Sequence, residues 1–325
     1  MQMKYNTQFR AAAVMLAVGL GGYFVVQSFA AGPMAAFEPE TGTLTAGATV
    51  QSATGASGSG VVRFATAATP TPTGTPAAQY NCIASPHVCG YPDETNTGVP
   101  AGVTLTPSSS ITITQNGTVI NGLNINGEVI IRANNVTIKN TRITSGDYYP
   151  IRYFDNDNTG LLIEDSEIIG TNSNVTAGIS FANYTLRRVE IYGAADGIKA
   201  DGDVLIEDSY VHNLSVGNDT HNDGIQTTGG NNVTIRHTTC KLSTTNGANA
   251  CIQMGNESGQ GITNWLVENN LFDGGGWTIN AGQVASSTVF RNNRFTRNAG
   301  YGTVSISGAT WQGNYFDDNG AQINP

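Results

Sequence analysis

Charge is scarce in this chain. Only 12% of its 325 residues are charged, 15 of them Lys or Arg, and the formal net charge is −9. A nucleic-acid partner needs a basic face to replace the counterions of a phosphate backbone, so this composition argues against one. An acidic polysaccharide is not excluded, because a local basic patch or a bridging cation can hold it. Helical periodicity is also missing. Gly is abundant, at 40 residues, and Asn and Thr are frequent, a turn-rich and β-leaning composition.

Long apolar runs are absent but for one. It spans Ala11 to about Val26, follows Lys4 and Arg10, and precedes small residues at Ser28 and Ala30. That is the pattern of an export signal, assigned to residues 1–30; an uncleaved anchor is the alternative. Either way the remainder is expected outside the cytoplasm, secreted or on the cell surface, as a monomer with no further membrane association. Cysteines number four, and in an oxidising compartment they can pair. Cys82 and Cys89 suggest a small disulfide loop. Cys240 and Cys251 either close the Lys241–Ala250 loop or leave Cys240 as a core thiol, and export favours the disulfide.

Residues 31–67 form a short segment, 68–80 a Pro/Thr linker (ATPTPTGTPAAQ from Ala68), and 81–325 the main domain. From Thr118 an eight-residue unit recurs: TVINGLNI, VTIKNTRI, LLIEDSEI, YTLRRVEI, VLIEDSYV, VTIRHTTC, WLVENNLF, TVFRNNRF, ATWQGNYF. A short unit at such a period marks a solenoid. The third position runs Ile120, Ile138, Ile163, Leu186, Ile206, Ile235, Val267, Phe290, Trp311. The eighth runs Ile125, Ile143, Ile168, Ile191, Val211, Cys240, Phe272, Phe295, Phe316. Stacking coils about 4.8 Å apart buries each column as a continuous ladder. The fifth position is polar (Asn140, Asp165, Arg188, Asp208, His237, Asn269, Asn292) and is read as a bend whose side chains stack and bond neighbouring turns. His237 is therefore structural. The fold expected is all-β, a right-handed parallel β-helix of roughly eight to ten coils.

A third strand precedes each octad: PIRYF, GISFA, GIKAD, GIQTT, CIQMG, WTINA, TVSIS. Its outward column reads Arg152, Ser180, Lys199, Gln226, Gln253, Asn280, Ser305. The repeat, the polar bend and the D-G-I entry to this strand resemble the pectate-lyase-like superfamily of right-handed β-helices, over about Gly98 to Phe316. HNDGIQ and NNLFDGGGWTI are similar to motifs of secreted bacterial members. The resemblance implies a substrate groove along the third strand and its preceding loops, with activities ranging from lyases, hydrolases and epimerases to non-catalytic adhesins. The segment FEPETGTLTAGATV, with Glu38 and Glu40, resembles the opening strands of jelly-roll carbohydrate-binding modules. It is far too short for a working module.

The stretch GNDTHNDGIQTTGG, Gly217 to Gly230, holds a loop that ends at the start of a third strand. Asp223-Gly224-Ile225 aligns with Asp196-Gly197-Ile198 one coil earlier. Stacked carboxylates repel unless they are solvated, share a proton or hold a cation. Asp196, Asp201, Asp219 and Asp223 are the candidate ligands for a hard cation such as calcium. The bland alternative is Asp-Gly turn chemistry. Lys199, His221 and Asp223 are the candidate catalytic residues, and Arg152, Gln226, Gln253 and Asn280 the candidate substrate-binding residues. His221→Ala and Asp223→Asn are expected to leave stability nearly unchanged, as loop-rim positions.

The leading functional expectation is a polysaccharide lyase, or a uronate epimerase, acting on an acidic glycan. Lys199 or His221 would be the base, calcium between Asp196 and Asp223 would acidify the C–H, and Arg152 would hold a sugar carboxylate. A non-catalytic carbohydrate binder is the first alternative, suited to the amide-rich half of the column. An inverting glycoside hydrolase ranks lower, because no second carboxylate pair follows GIQTT.

Overall fold

The computed structural model describes residues 48–52, 60–64, 80–153, 158–217, 220–242 and 247–325. The chain divides into two units, Met1–Thr75 and Pro76–Pro325. In the first, Ala48–Ser52 and Gly60–Phe64 pair antiparallel. The export signal, Glu38, Glu40 and residues 68–79 lie outside the described residues.

The second unit is a right-handed parallel β-helix. Its first strands form a parallel nine-stranded sheet from Val119–Asn121 to Thr310–Gln312, one strand per coil. The second and third strands join through the long strand Leu123–Ile131 into one 17-stranded sheet. The octad columns stack residue on residue. Ile120, Ile138, Ile163, Leu186, Ile206, Ile235, Val267, Phe290 and Trp311 are successive register partners. So are Ile125, Ile143, Ile168, Ile191, Val211, Cys240, Phe272, Phe295 and Phe316. Most of these side chains are wholly buried in one continuous core, the main favourable term for a fold of this kind. The aromatic rings of the last coils stack on one another, Phe290 on Trp311 at 5.3 Å and Phe295 on Trp311 at 5.8 Å.

The bend falls at the fifth octad position, as expected, but the ladder that bonds the backbone stands one residue further on. The fifth octad position is left-handed throughout, from φ 47° at His237 to φ 71° at Gly122, and its side chains point outward. Arg188 there binds Asp165 one coil back, at 2.6 Å. The inward ladder belongs to the sixth position. Asn293 Nδ2 donates to Asn314 Oδ1 at 2.8 Å and to Val267 O at 2.9 Å, and Asn270 Nδ2 donates to Asn293 Oδ1 at 2.9 Å. A left-handed residue reverses the chain sharply, so the next side chain turns into the core, where its amide satisfies backbone groups that water cannot reach.

Both disulfides are present, Cys82–Cys89 and Cys240–Cys251. The segment holding the first of them runs back along the outside of the coils. The Asn81 amide donates to Asp317 O at 2.8 Å, His237 Nε2 meets Gly90 O at 2.6 Å, and the Gly98 amide donates to Arg188 O at 3.0 Å. His237 thus ties this segment to the bend ladder, with its Nδ1 2.6 Å from Asp208.

Candidate functional site

The third strands are Ile151–Tyr153, Ala177–Ile179, Asp196–Lys199, Asp223–Thr227, Ala250–Met254, Trp277–Gln283 and Gly302–Ser307. On their outer face Lys199, Gln226, Gln253, Asn280 and Ser305 are successive register partners. Arg152 stands two coils before Lys199 and pairs with Glu128 at 3.6 Å. Ser180 departs from the expected column. It is buried, and its Oγ accepts from the Tyr153 amide at 3.2 Å.

A second column stands at the strand entries: Ala177, Asp196, Asp223, Ala250, Trp277, Gly302. Here the two carboxylates stack. The Asp223 amide donates to Asp196 Oδ1 at 2.9 Å. Asp196 is 4% exposed and Asp223 0%. Asp223 is therefore a buried residue of the strand Asp223–Thr227 and not the loop-rim residue expected. Lys199 Nζ meets Asp196 Oδ2 at 2.5 Å and also contacts Gln226 Oε1.

Asn249 was missed. Its Nδ2 donates to Asp223 Oδ1 at 2.8 Å and to Gln253 Oε1 at 3.1 Å, and Asn280 Nδ2 donates to the same Gln253 oxygen at 2.8 Å. The sequence held a signal for it: Asn222-Asp223-Gly224-Ile225-Gln226 and Asn249-Ala250-Cys251-Ile252-Gln253 share Asn, Ile and Gln at matching places. The Asn249 amide accordingly donates to Asn222 O at 2.8 Å. Asn222 is buried and ties the loop down, donating to Ala195 O and Ser215 O at 2.8 Å each. His221 beside it stays exposed.

Burial raises the Asp223 carboxyl from its ordinary 3.8 to about 7, and the Asp196 charge adds to the rise. The Asn249 hydrogen bond, the Lys199 charge and the Ala250 amide oppose it. Asp196 is raised too, first by burial, while Lys199, the Asp223 amide and the charge of His221 hold it down. Asp223 Oδ2 is buried without a hydrogen-bond partner. One proton shared between two stacked carboxylates relieves both the burial and the repulsion.

Of the acidic residues proposed as cation ligands, Asp196 and Asp223 stand together and Asp201 apart from them. Asp201 lies past the far end of its strand, where its Oδ1 accepts from the Thr228 amide at 2.9 Å and from Thr227 Oγ1 at 3.1 Å. Asp219 lies outside the described residues. Among the described residues no group of three or more His, Cys, Asp or Glu is placed to hold a metal ion.

A cleft of about 640 Å³ opens on the second face, lined by Glu94, Tyr210, His212, Lys241, Asp273 and Asn298 among others. His212, Lys241 and Asp273 are engaged with neighbours. His212 meets Glu190 at 2.9 Å and stacks on Tyr210 at 4.2 Å, and Asp273 accepts from Asn298 at 2.8 Å. This hollow and the perturbed carboxylates lie on different faces. The carboxylates mark the site, because a buried acid with an unpartnered oxygen is costly to keep unless it is used.

The fold and this face define a right-handed parallel β-helix with an ionisable cluster on its third sheet. Residues 177–324 match the family model described as right handed beta helix region. The same coil architecture continues before the matched part, to Thr106–Ile113. No curated protein and no solved structure matches the chain.

Proposed function

We propose that this is a secreted carbohydrate-active β-helix that binds an acidic polysaccharide along its third face and cleaves it by β-elimination. One observation carries the reading: Asp196 and Asp223 stack on successive coils beside the Lys199 ammonium, with the amides of Gln226, Gln253 and Asn280 on the coils that follow. Perturbed, coupled ionisable groups gather where chemistry is done.

In this reading Lys199 supplies the fixed positive charge that a sugar carboxylate needs before its neighbouring C–H can ionise. Asp196 holds that ammonium in place, and the amides of Gln226 and Gln253 take sugar hydroxyls. His221, on the exposed rim, accepts the proton. The electron pair left behind forms the carbon–carbon double bond, and the glycosidic oxygen leaves with a proton from water. Asp223 is enclosed and does not reach the sugar. Its role is to set the charge of the cluster, since an arriving anion draws a proton onto the pair. In this reading the Lys199 ammonium takes the part that calcium between Asp196 and Asp223 would play, since a cation there would compete with it for Asp196 Oδ2.

The amide chain Asn249–Gln253–Asn280 favours a second reading, a binder that only grips hydroxyls. Incubation with polygalacturonate, alginate and a neutral xylan separates the two. Elimination gives an unsaturated, ultraviolet-absorbing product, which His221→Ala reduces. New reducing ends without that product mean hydrolysis, and retention without products means a binder. The reading fails if neither acidic polysaccharide is bound or cleaved.

A further inference from the structure

Among the described residues, the third face carries exposed aromatic rings at both ends of the polar track. At one end Tyr148 and Tyr149 sit in the loop feeding Ile151–Tyr153, edge to face, with ring centroids 4.8 Å apart. Tyr149 packs in turn on Phe181, 5.6 Å away in the next coil. Tyr148 is 57% exposed and Phe181 38%. Phe181 is also held at φ 68°, a left-handed conformation that a bulky residue adopts only under constraint. This group borders the ionisable cluster electrostatically. Burial first, then Tyr148, Asp201 and Asp196, push the Tyr149 phenol up to about 12, with Arg152 opposing.

At the other end Tyr301 sits in the loop feeding Gly302–Ser307 and is 80% exposed. Its ring lies against Gly276, where an added Cβ would come within 2.9 Å of Cε2. Trp277, in the strand-entry column of Asp196 and Asp223, lies over Gly302, where an added Cβ would strike the indole. Glycine at both places leaves the rings room to lie flat on the backbone.

From the geometry we infer that these two groups are the outer subsites of a linear glycan lying parallel to the helix axis. Tyr148 and Phe181 would grip one end and Trp277 and Tyr301 the other. The inference rests on the proposed glycan track and extends it to chain length. From the Tyr148 coil to the Tyr301 coil is six steps of about 4.8 Å, about 29 Å in all. A pyranose in an extended chain advances by about one coil. The track therefore fits a segment of about six or seven sugars, taking one unit per coil. Aromatic faces cover the apolar C–H face of a pyranose and give large contact area at low entropic cost. They do not read charge, so the outer subsites accept acidic and neutral sugars alike. The anionic unit is required only at Lys199. The substrate class implied is a long chain, and short oligomers bind poorly even when their sugar is right.

The test uses the mature full-length protein with trimers and octamers of galacturonate and of xylose, in wild type, Tyr148→Ala, Tyr301→Ala and the double variant. Both rings are largely solvent-exposed, and unchanged circular dichroism melts verify the fold. For the wild type, the octamer should bind at least about tenfold more tightly than the trimer, and each substitution should remove about that factor from the octamer and little from the trimer. Tight octamer binding that neither variant weakens overturns the platforms and leaves the proposed function standing. Binding of the xylose octamer alone, weakened by both variants, upholds the platforms and overturns the acidic substrate. No binding of any oligomer overturns both.

Discussion

Asp223→Asn tests the buried pair directly, because it keeps the shape of the side chain and removes its titration. In the wild type, folding lifts this carboxyl from 3.8 to about 7. An acid with a raised folded pKa binds more protons folded than unfolded between those values. Stability from this group is therefore intact below about pH 4, falls as pH rises through the window, and stays lowered above about pH 7. A rise of about three pH units at about 1.4 kcal/mol each makes the loss ~4 kcal/mol. Asp196 is raised as well, so the two groups titrate as a pair and ~4 kcal/mol is a ceiling for Asp223 alone.

In the variant, Oδ1 still accepts from Asn249. The new amide stands where Oδ2 has no partner, beside the Asp196 carboxylate. The two proteins should be matched at about pH 3, with the variant pulling ahead by several kcal/mol, up to ~4, at about pH 8.5. For a domain of this size each kcal/mol is worth about 2–4 °C of melting temperature. Urea denaturation followed by tryptophan fluorescence at several pH values measures the difference. Parallel pH–stability curves for the two proteins would refute the argument, since Asp223 would then be ionised and satisfied in the fold. A variant less stable at every pH would show that Oδ2 accepts a hydrogen bond.

Three other outcomes follow from the same structure. Ile206→Asp should abolish soluble folding, because the side chain is wholly buried between Leu186 and Ile235 and an unpaired charge there costs several kcal/mol; normal secretion and melting would contradict the register. Asn293→Ala should cost about 1–3 kcal/mol for each orphaned partner, since its Nδ2 serves both Val267 O and Asn314 Oδ1; an unchanged urea midpoint would count against the inward ladder. Chelator should leave both melting and glycan turnover unchanged, because Lys199 lies against Asp196; a chelator-sensitive melt would restore the cation site, since a ligand bound only by the native state stabilises it.

The coil was legible because burial in a solenoid repeats. Each inward position meets the same position one coil on, so Ile138, Ile163 and Leu186 declare a column without any tertiary knowledge. The polar bend was legible as a bend but not in detail. Asn269 and Asn270 look alike in sequence, and only the left-handed backbone at Asn269, φ 55°, decides which of them points inward. The outward column Lys199, Gln226, Gln253, Asn280 was readable because its register follows from the buried Ile beside each. The depth of Asp223 was not readable, because it stands where the loop ending in Asn222 meets the strand, and loops of unequal length carry no periodic signal. Asp201 was misplaced for a related reason. Nearness in sequence along an extended strand means distance in space, about 3.3 Å per residue.

That contrast also explains why the perturbed ionisable groups collect on one face of this fold. The first face is bound by cross-coil ion pairs, with Glu207 holding both Arg187 and Arg236 and Glu268 holding Arg291. The second is overlain in part by the segment that runs from Asn81 to Gly98, and its turns are fixed by the inward Asn ladder. In both, a residue is constrained by its neighbours one coil above and below. The third strands are entered by loops whose lengths differ from coil to coil, so His221, Asn249, Tyr148 and Tyr301 can each be different without disturbing the stack. A solenoid fixes the axial spacing and leaves one edge of every coil free to vary. On that edge this chain places its coupled carboxylates, the Lys199 ammonium and its exposed rings.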